Sequence, residues 1–152
     1  MLLRWLLATL HLLALPMGLG AIGMRSRALR HTRSAADLPA VFIADNLWGA
    51  AAMLWIATGL LRAFGGFEKG SAYYLHNGVF HLKMGLLLLI LLLEVWPMAT
   101  LISWRIKLRR AAPVDTSPAA ALARISAVQA VLVVLMVFAA TALARGFFYF
   151  HE

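Results

Sequence analysis

The sequence predicts an all-α integral membrane protein, a four-helix bundle in which residues 1–152 form one transmembrane domain. Three observations support this prediction. Hydrophobic residues make up 63% of the chain, they fall into four long segments, and the positive charges are concentrated between those segments. A water-soluble chain of this composition would expose large apolar patches, so we expect the lipid bilayer to be its main partner.

Each apolar segment is long enough to cross about 30 Å of hydrocarbon at about 1.5 Å per residue. The predicted spans are 2–24, 40–64, 79–104 and 122–147. A cleaved signal peptide is the alternative for the first segment, since Arg4 precedes its apolar run. The stronger positive cluster follows that segment, however, which favours a retained helix. Pro113, Asp115 and Pro118 predict a turn between the third and fourth segments.

The distribution of charge predicts an orientation. The two basic loops carry Arg25, Arg27, Arg30 and Arg33, and then Arg105, Lys107, Arg109 and Arg110. The middle loop has Lys69 offset by Glu68. The positive-inside rule therefore places the first and third loops in the cytoplasm and both termini on the periplasmic side of a bacterial inner membrane.

Composition also excludes some classes of function. The net charge of +8 lies in short runs between apolar segments, which is typical of cytoplasmic loops, so we do not expect binding of nucleic acid. The chain has no cysteine. Disulfides, thiolate metal sites and cysteine catalysis are therefore excluded.

Ionisable side chains within the spans are the first candidates for function, because charge inside lipid is costly. The predicted orientation sorts the polar residues into two layers. The outer layer contains Arg4, His11, Arg62, His76, His81, Lys83 and Arg145, and the inner layer contains Asp45, Asn46, Glu94 and Gln129. The outer layer is basic and rich in histidine, and the inner layer is acidic or amide.

Helical phase predicts which of these residues meet. One stripe of the first helix contains Arg4, Ala8, His11, Leu15, Gly18, Ile22 and Arg25. Its small residues permit close approach of another helix or of a flat ligand. On the third helix, Lys83 shares a stripe with Glu94, whereas His81 is about 200° around the helix from Lys83 and is predicted to be interfacial.

Structural roles are the alternatives for each of these residues. His11 would serve as an interhelical hydrogen-bonding group, and Lys83 and Arg62 would extend towards the membrane surface. Asp45 and Asn46 would cap or line the second helix. Glu94 lies too deep to reach water, so it requires a partner, which we expect to be Arg25, Arg124, Gln129 or a water molecule.

Residues 61–98, LRAFGGFEKGSAYYLHNGVFHLKMGLLLLILLLEVWPM, resemble the signature stretch of the bacterial "domain of unknown function 2214" family. The similarity extends to WLLATLHLLALPMGLG near the start and RISAVQAVLVVLMVFAATALARG near the end. At greater distance the layout resembles HemJ-type protoporphyrinogen oxidases and copper-resistance D-like proteins. His11 in RWLLATLHLL and Lys83 in FHLKMGLLLLILLL are similar to the first-helix histidine and third-helix lysine of the HemJ-type pattern.

The HemJ-type resemblance implies haem b, with His11 as an axial iron ligand. Arg62 or Lys83 would then pair with a propionate. His76 is a candidate second ligand on the Lys83 stripe. By helical rise His11 lies about 12 Å below the outer boundary and His76 about 5 Å above it, which favours ligation by His11 alone or with an unidentified sixth ligand.

The sequence therefore predicts a haem b-binding protein of electron transfer or porphyrin-linked redox chemistry. The first alternative is a cofactor-free membrane scaffold or accessory subunit of a larger complex. The expected partners are the lipid bilayer and either a membrane protein or a second copy of the chain. The second alternative is a small transporter that uses Glu94 and Asp45 as a proton path. Four helices without inverted-repeat symmetry make the transporter the weaker of these two alternatives.

Overall fold

The computed structural model describes residues 1–65 and 78–145 of the chain. Over this part the backbone forms four long helices and one short 3-10 helix, Ala35–Asp37. The long helices are α1 (Leu2–His31), α2 (Leu38–Phe64), α3 (Gly78–Arg109) and α4 (Ala119–Ala144). All four are long and apolar enough to cross a membrane, so the predicted fold class is confirmed.

Helices α1 and α3 extend further towards their C-termini than hydropathy predicts. Helix α1 continues to His31 and α3 to Arg109, well past the predicted ends at residues 24 and 104. Hydropathy reports where hydrocarbon ends, whereas backbone hydrogen bonding continues through the basic segments beyond it. Arg25 consequently lies within α1 and not in a loop. Residues 146 and 147 of the fourth predicted span lie outside the described residues.

The connection between α1 and α2 is short and internally hydrogen-bonded. One carboxylate oxygen of Asp37 accepts hydrogen bonds from the backbone N–H groups of Arg33, at 2.9 Å, and Ser34, at 3.0 Å. Pro39 occupies the first turn of α2, where its missing N–H removes no helical hydrogen bond. These features hold α1 and α2 as antiparallel neighbours.

Helix α1 is central to the bundle. It packs against α2 and α4, and α3 packs against α4, while α2 and α3 are joined through side chains. The predicted stripe of α1 faces inward, since His11, Gly18, Ile22 and Arg25 are buried, although Arg4 is exposed.

Three apolar layers fill the interior along the bundle axis. The layer at the Arg25 end includes Leu29, Leu38, Val41, Leu101, Trp104 and Leu122. The middle layer includes Ile22, Trp48, Ile90, Val133 and Met136. The layer at the opposite end includes Ala63, Val79, Phe80 and Ala139. Large apolar side chains such as Leu88 and Leu92 face outward on α3, as expected for a surface in contact with lipid.

Candidate functional site

A buried guanidinium joins all four helices at one end of the bundle. The Arg25 side chain is 0% exposed. We define the Arg25 cluster as Arg25 of α1, Asp45 and Trp48 of α2, Glu94 and Arg105 of α3, and Ser126 and Gln129 of α4. These residues face one another because each lies on the inward stripe of its helix.

Every N–H group of Arg25 has an acceptor. Its Nε donates to the hydroxyl of Ser126 at 3.1 Å. Nη1 donates to Asp45 at 2.9 Å and to Glu94 at 2.6 Å, and Nη2 donates to Glu94 at 2.8 Å and to Gln129 Oε1 at 2.9 Å. A guanidinium has five N–H donors, so this one is fully satisfied. The parallel pair of bonds to Glu94 is the strong bidentate arrangement of arginine and carboxylate.

Three residues on other helices donate hydrogen bonds to Glu94. Its Oε2 accepts hydrogen bonds from Arg25, from Gln129 Nε2 at 2.8 Å and from Trp48 Nε1 at 3.2 Å. Gln129 Nε2 also donates to the carbonyl of Ile90 at 3.2 Å. The prediction that Glu94 requires a polar partner is confirmed, with Arg25 and Gln129 as two of the partners expected. Arg124, the third residue expected, is exposed.

Asp45 bridges two arginines. Its Oδ1 accepts from Arg25 and its Oδ2 from Arg105, each at 2.9 Å. Arg105 also donates to the side-chain oxygen of Asn46 at 2.9 Å and lies 4.6 Å from the centroid of the Phe42 ring. Asp45 and Asn46 therefore do not cap α2, which begins after Asp37; they line it, and both side chains contact arginines of other helices.

The Arg25 cluster is chemically closed. Two guanidinium groups balance two carboxylates, and the hydrogen-bonding atoms of Arg25 and Gln129 are already occupied. Removing one member of such a buried network leaves an uncompensated charge, which is strongly destabilising. The arrangement is that of an interhelical clamp, and it leaves no free carboxylate pair for a proton path.

A second polar site surrounds His11 towards the other end of α1. We define the His11 site as His11 of α1, Trp55, Thr58 and Gly59 of α2, and Lys83 of α3. His11 Nδ1 lies 2.9 Å from Thr58 Oγ1. The His11 ring stacks on Trp55 with 5.8 Å between centroids and 24° between planes. Only 9% of His11 is exposed, so the ring is buried within the bundle.

Cationic side chains flank the His11 site. The ammonium of Lys83 lies 5.8 Å from the centroid of the Trp55 ring, within the range of a cation–π interaction. Lys83 is half-buried. Both Lys83 and the half-buried Arg62 are close enough to His11 to interact with it electrostatically. The structure thus brings together three of the four predicted site residues.

The small-residue stripe of α1 is partly filled by α2. The ideal Cβ position of Gly18 lies 3.5 Å from the Ala51 side chain and 3.6 Å from the Trp48 ring. The interpretation of Gly18 as a point of close helix approach is therefore correct, and the space beside this residue is filled by α2. Room for a ligand must be sought nearer to His11.

The other predicted residues fall into three groups. His76, the candidate second ligand, lies outside the described residues. His81 and Arg145 are both exposed, and the interfacial position of His81 stays a prediction. Within residues 1–65 and 78–145, no group of three or more His, Cys, Asp or Glu side chains is arranged to bind a metal ion.

Sequence reasoning missed several members of both sites, although a signal was present. Asp45, Trp48, Trp55, Thr58 and Arg62 recur at steps of three, four or seven residues along α2, which places them on one face of a helix. Only the charged members of this stripe were considered. Two tryptophans and a threonine on the face that also carries charge would have indicated that α2 supplies the second half of each site.

The fold and the two sites define a class: a multi-pass α-helical membrane protein whose helices are joined by a buried ion-pair network. Residues 3–147 match the family described as "Predicted membrane protein (DUF2214)", and the chain belongs to that family. No curated protein and no solved structure matches the chain. The resemblance to HemJ-type and copper-resistance D-like proteins therefore stays a prediction.

Proposed function

We propose that this protein binds haem b through His11 and acts in electron transfer or porphyrin-linked redox chemistry in a bacterial inner membrane. The observation that carries the proposal is the geometry of His11, a buried imidazole held by Thr58 and Trp55 inside the bundle. A single imidazole suffices for haem, because four of the iron ligands are nitrogens of the porphyrin.

The charges around His11 support the same proposal. A haem carries two propionates, and buried carboxylates require cations beside them. The ammonium of Lys83 lies against Trp55, which stacks on His11, and Arg62 follows on the same helix as Trp55. Trp55 adds a flat aromatic surface that contacts both His11 and Lys83.

The proposed division of labour follows from these contacts. His11 would hold the iron, Lys83 and Arg62 would pair with propionates, and the apolar side chains of α1 and α2 would exclude water. Haem itself would supply one-electron chemistry. The chain's own contribution is to orient the group and to set the polarity around it.

The optical spectrum of the purified protein tests the proposal. We expect a Soret band from protein expressed with a haem supplement, and we expect His11→Ala to abolish it without loss of the folded protein from the membrane. His81→Ala is the matched control, because it removes an exposed histidine from α3 and should leave the band unchanged. Lys83→Ala should weaken haem binding without changing the axial ligand.

A wild-type protein that stays colourless after haem supplementation would overturn the haem proposal. A band that survives in His11→Ala would overturn the assignment of the ligand. In the first case a second candidate function leads: a cofactor-free scaffold or accessory subunit of a larger membrane complex. The saturated Arg25 cluster favours it, since that cluster fixes all four helices relative to one another without a ligand.

The proposed localisation includes an orientation. The basic loops that follow α1 and α3 would lie in the cytoplasm, and both termini in the periplasm. A reporter fused after Trp104 should read cytoplasmic, and one inserted between α2 and α3 should read periplasmic. The opposite result would place the His11 site in the cytoplasmic half of the membrane.

A further inference from the structure

The hydroxyl of Thr58 has one hydrogen to donate, but three polar atoms lie near its oxygen. Its Oγ1 lies 2.7 Å from the carbonyl oxygen of Leu54, 3.2 Å from that of Trp55 and 2.9 Å from His11 Nδ1. Carbonyl oxygens only accept hydrogen bonds, and a hydroxyl donates one. The short approach to Leu54 therefore requires the hydroxyl hydrogen to point along α2, towards its own helix backbone.

This direction determines the protonation of the histidine ring. With its hydrogen directed to Leu54, Thr58 presents a lone pair to His11 Nδ1, so Nδ1 must carry a hydrogen and donate it. In a neutral imidazole the other nitrogen, Nε2, then has the free lone pair. The alternative, a hydroxyl that donates to Nδ1, would leave two oxygens 2.7 Å apart with no hydrogen between them.

The same face of α2 also fixes the plane of the ring. Trp55 stacks on it, and a Cβ added to Gly59 would lie 3.2 Å from His11 Cε1, which is closer than side chains normally approach. Residues 55, 58 and 59 are spaced as neighbours on one helix face. Orientation and tautomer are thus both imposed by α2 before any ligand is present.

We infer that Thr58 is a positioning residue that makes Nε2 of His11 the nitrogen available to a ligand. The ligand that such a nitrogen takes is a Lewis-acidic metal centre, and its identity as haem iron rests on the function proposed above. The tautomer itself does not depend on that proposal. Hydrogen bonds from the second nitrogen of a ligating histidine are known to set its ring orientation and its basicity.

The tautomer is measurable without haem. The ligand-free protein, labelled with 15N-histidine and studied in lipid bilayers at alkaline pH, should show His11 with a protonated Nδ1 and a bare Nε2. A His11→Gln variant identifies the signals. Detection of hydrogen on Nε2 would overturn the inference.

Substitution of Thr58 gives a second test. Thr58→Val keeps the branched shape but removes the acceptor, so we expect both tautomers of His11 and an affinity for haem lower by about 10- to 100-fold. Thr58→Ser should restore wild-type behaviour. Thr9→Val is the matched control, because the Thr9 hydroxyl makes the same bond to its own helix, 2.9 Å from the Trp5 carbonyl, at an exposed position.

The two proposals fail in different ways. If the wild-type protein takes up no haem but its His11 spectrum is that expected and changes in Thr58→Val, the proposed function fails and the role of Thr58 stands. If haem binds and Thr58→Val matches wild type in both tautomer and affinity, the role of Thr58 is refuted and the proposed function stands.

Discussion

The Arg25 cluster and the His11 site lie on one stripe of α1, about 21 Å apart by helical rise, and they differ in what their polar atoms leave available. The Arg25 cluster uses every donor of its guanidinium. In the His11 site the hydrogen bond to Thr58 uses Nδ1, so Nε2 keeps a lone pair. A closed network stabilises the bundle, whereas an open one is suited to a ligand.

The two sites differ little in burial and more in how their charges are paired. Arg25 is 0% exposed and His11 9% exposed, so both sit in a low-dielectric interior. The charges of the Arg25 cluster sum to zero, with Arg25 and Arg105 against Asp45 and Glu94. The His11 site, in contrast, contains the cationic side chain of Lys83 against the Trp55 ring. A cation suits an anionic group bound at the His11 site, whereas the charges of the Arg25 cluster already compensate one another.

The largest effect should come from breaking the closed site. Arg25→Met should lower the stability of the folded protein by about 3–5 kcal/mol, because Glu94 and Asp45 are left as half-buried charges without their shared partner. Thermal unfolding of the detergent-purified protein measures this. Arg27→Met is the control, since Arg27 is exposed two residues further along α1 and should change stability little.

If Arg25→Met and Arg27→Met unfold at the same temperature, the cluster does not stabilise the bundle. A double variant sharpens the result. Adding Glu94→Gln to Arg25→Met removes one of the orphaned charges, so the double variant should be more stable than Arg25→Met alone.

A smaller effect is expected at Arg105, the more exposed member of the same cluster. Arg105 is 29% exposed, so water solvates part of its charge and weakens its attraction to Asp45. Arg105→Gln should therefore cost about 1 kcal/mol, measured by the same unfolding experiment. Lys107→Gln, at an exposed position on the same helix, is its control. A loss equal to that of Arg25→Met would show that the buried and exposed arms of the network are equivalent.

The close contact of α2 with His11 gives a third comparison. A Cβ at Gly59 would meet His11 Cε1 at 3.2 Å, whereas a Cβ at Gly49, on the same helix, meets nothing within 4 Å. Gly49→Ala should raise stability by up to about 1 kcal/mol through helix propensity. Gly59→Ala should gain less or lose stability, and it should also weaken ligand binding at His11, because the ring must move.

The sequence predicts the larger parts of this architecture for a simple physical reason. Hydrocarbon imposes a length and a composition on each span, and the spacing of His11, Gly18, Ile22 and Arg25 imposes a face. Both are local properties of the chain. The need of Glu94 for a partner is also local, because an isolated carboxylate in lipid is too costly to remain charged.

The sequence does not predict which of several equivalent residues becomes the partner of a buried polar group. Arg25 was one of several possible partners for Glu94, and its five bonds depend on how α1, α3 and α4 are rotated and offset. Thr58 and Trp55 were missed because a hydroxyl and an indole give no charge signal. Their role appears only when α2 is placed against α1, which brings residues 47 positions apart into contact.

The smallest effect concerns Asp115, a carboxylate outside the membrane-spanning helices. In the connection between α3 and α4, Ser117 donates two hydrogen bonds to Asp115, from its backbone N–H and from its hydroxyl, each at 2.9 Å. These bonds favour the charged form and hold the pKa of Asp115 below its usual range. Ser117→Ala removes one of the two donors, so the pKa should rise part of the way back.

The pH dependence of this contact has a definite sign. Because folding lowers the pKa of Asp115, its stabilising contribution is present above the pKa of the unfolded chain and is lost as the pH falls through the pKa of the folded one. Carboxyl 13C shifts of the labelled protein against pH measure that pKa. Thr116→Ala is the control, since the hydrogen bond of Thr116 to Ala119 uses its backbone carbonyl. If Ser117→Ala and Thr116→Ala titrate alike, the hydroxyl of Ser117 contributes nothing to the lowered pKa of Asp115.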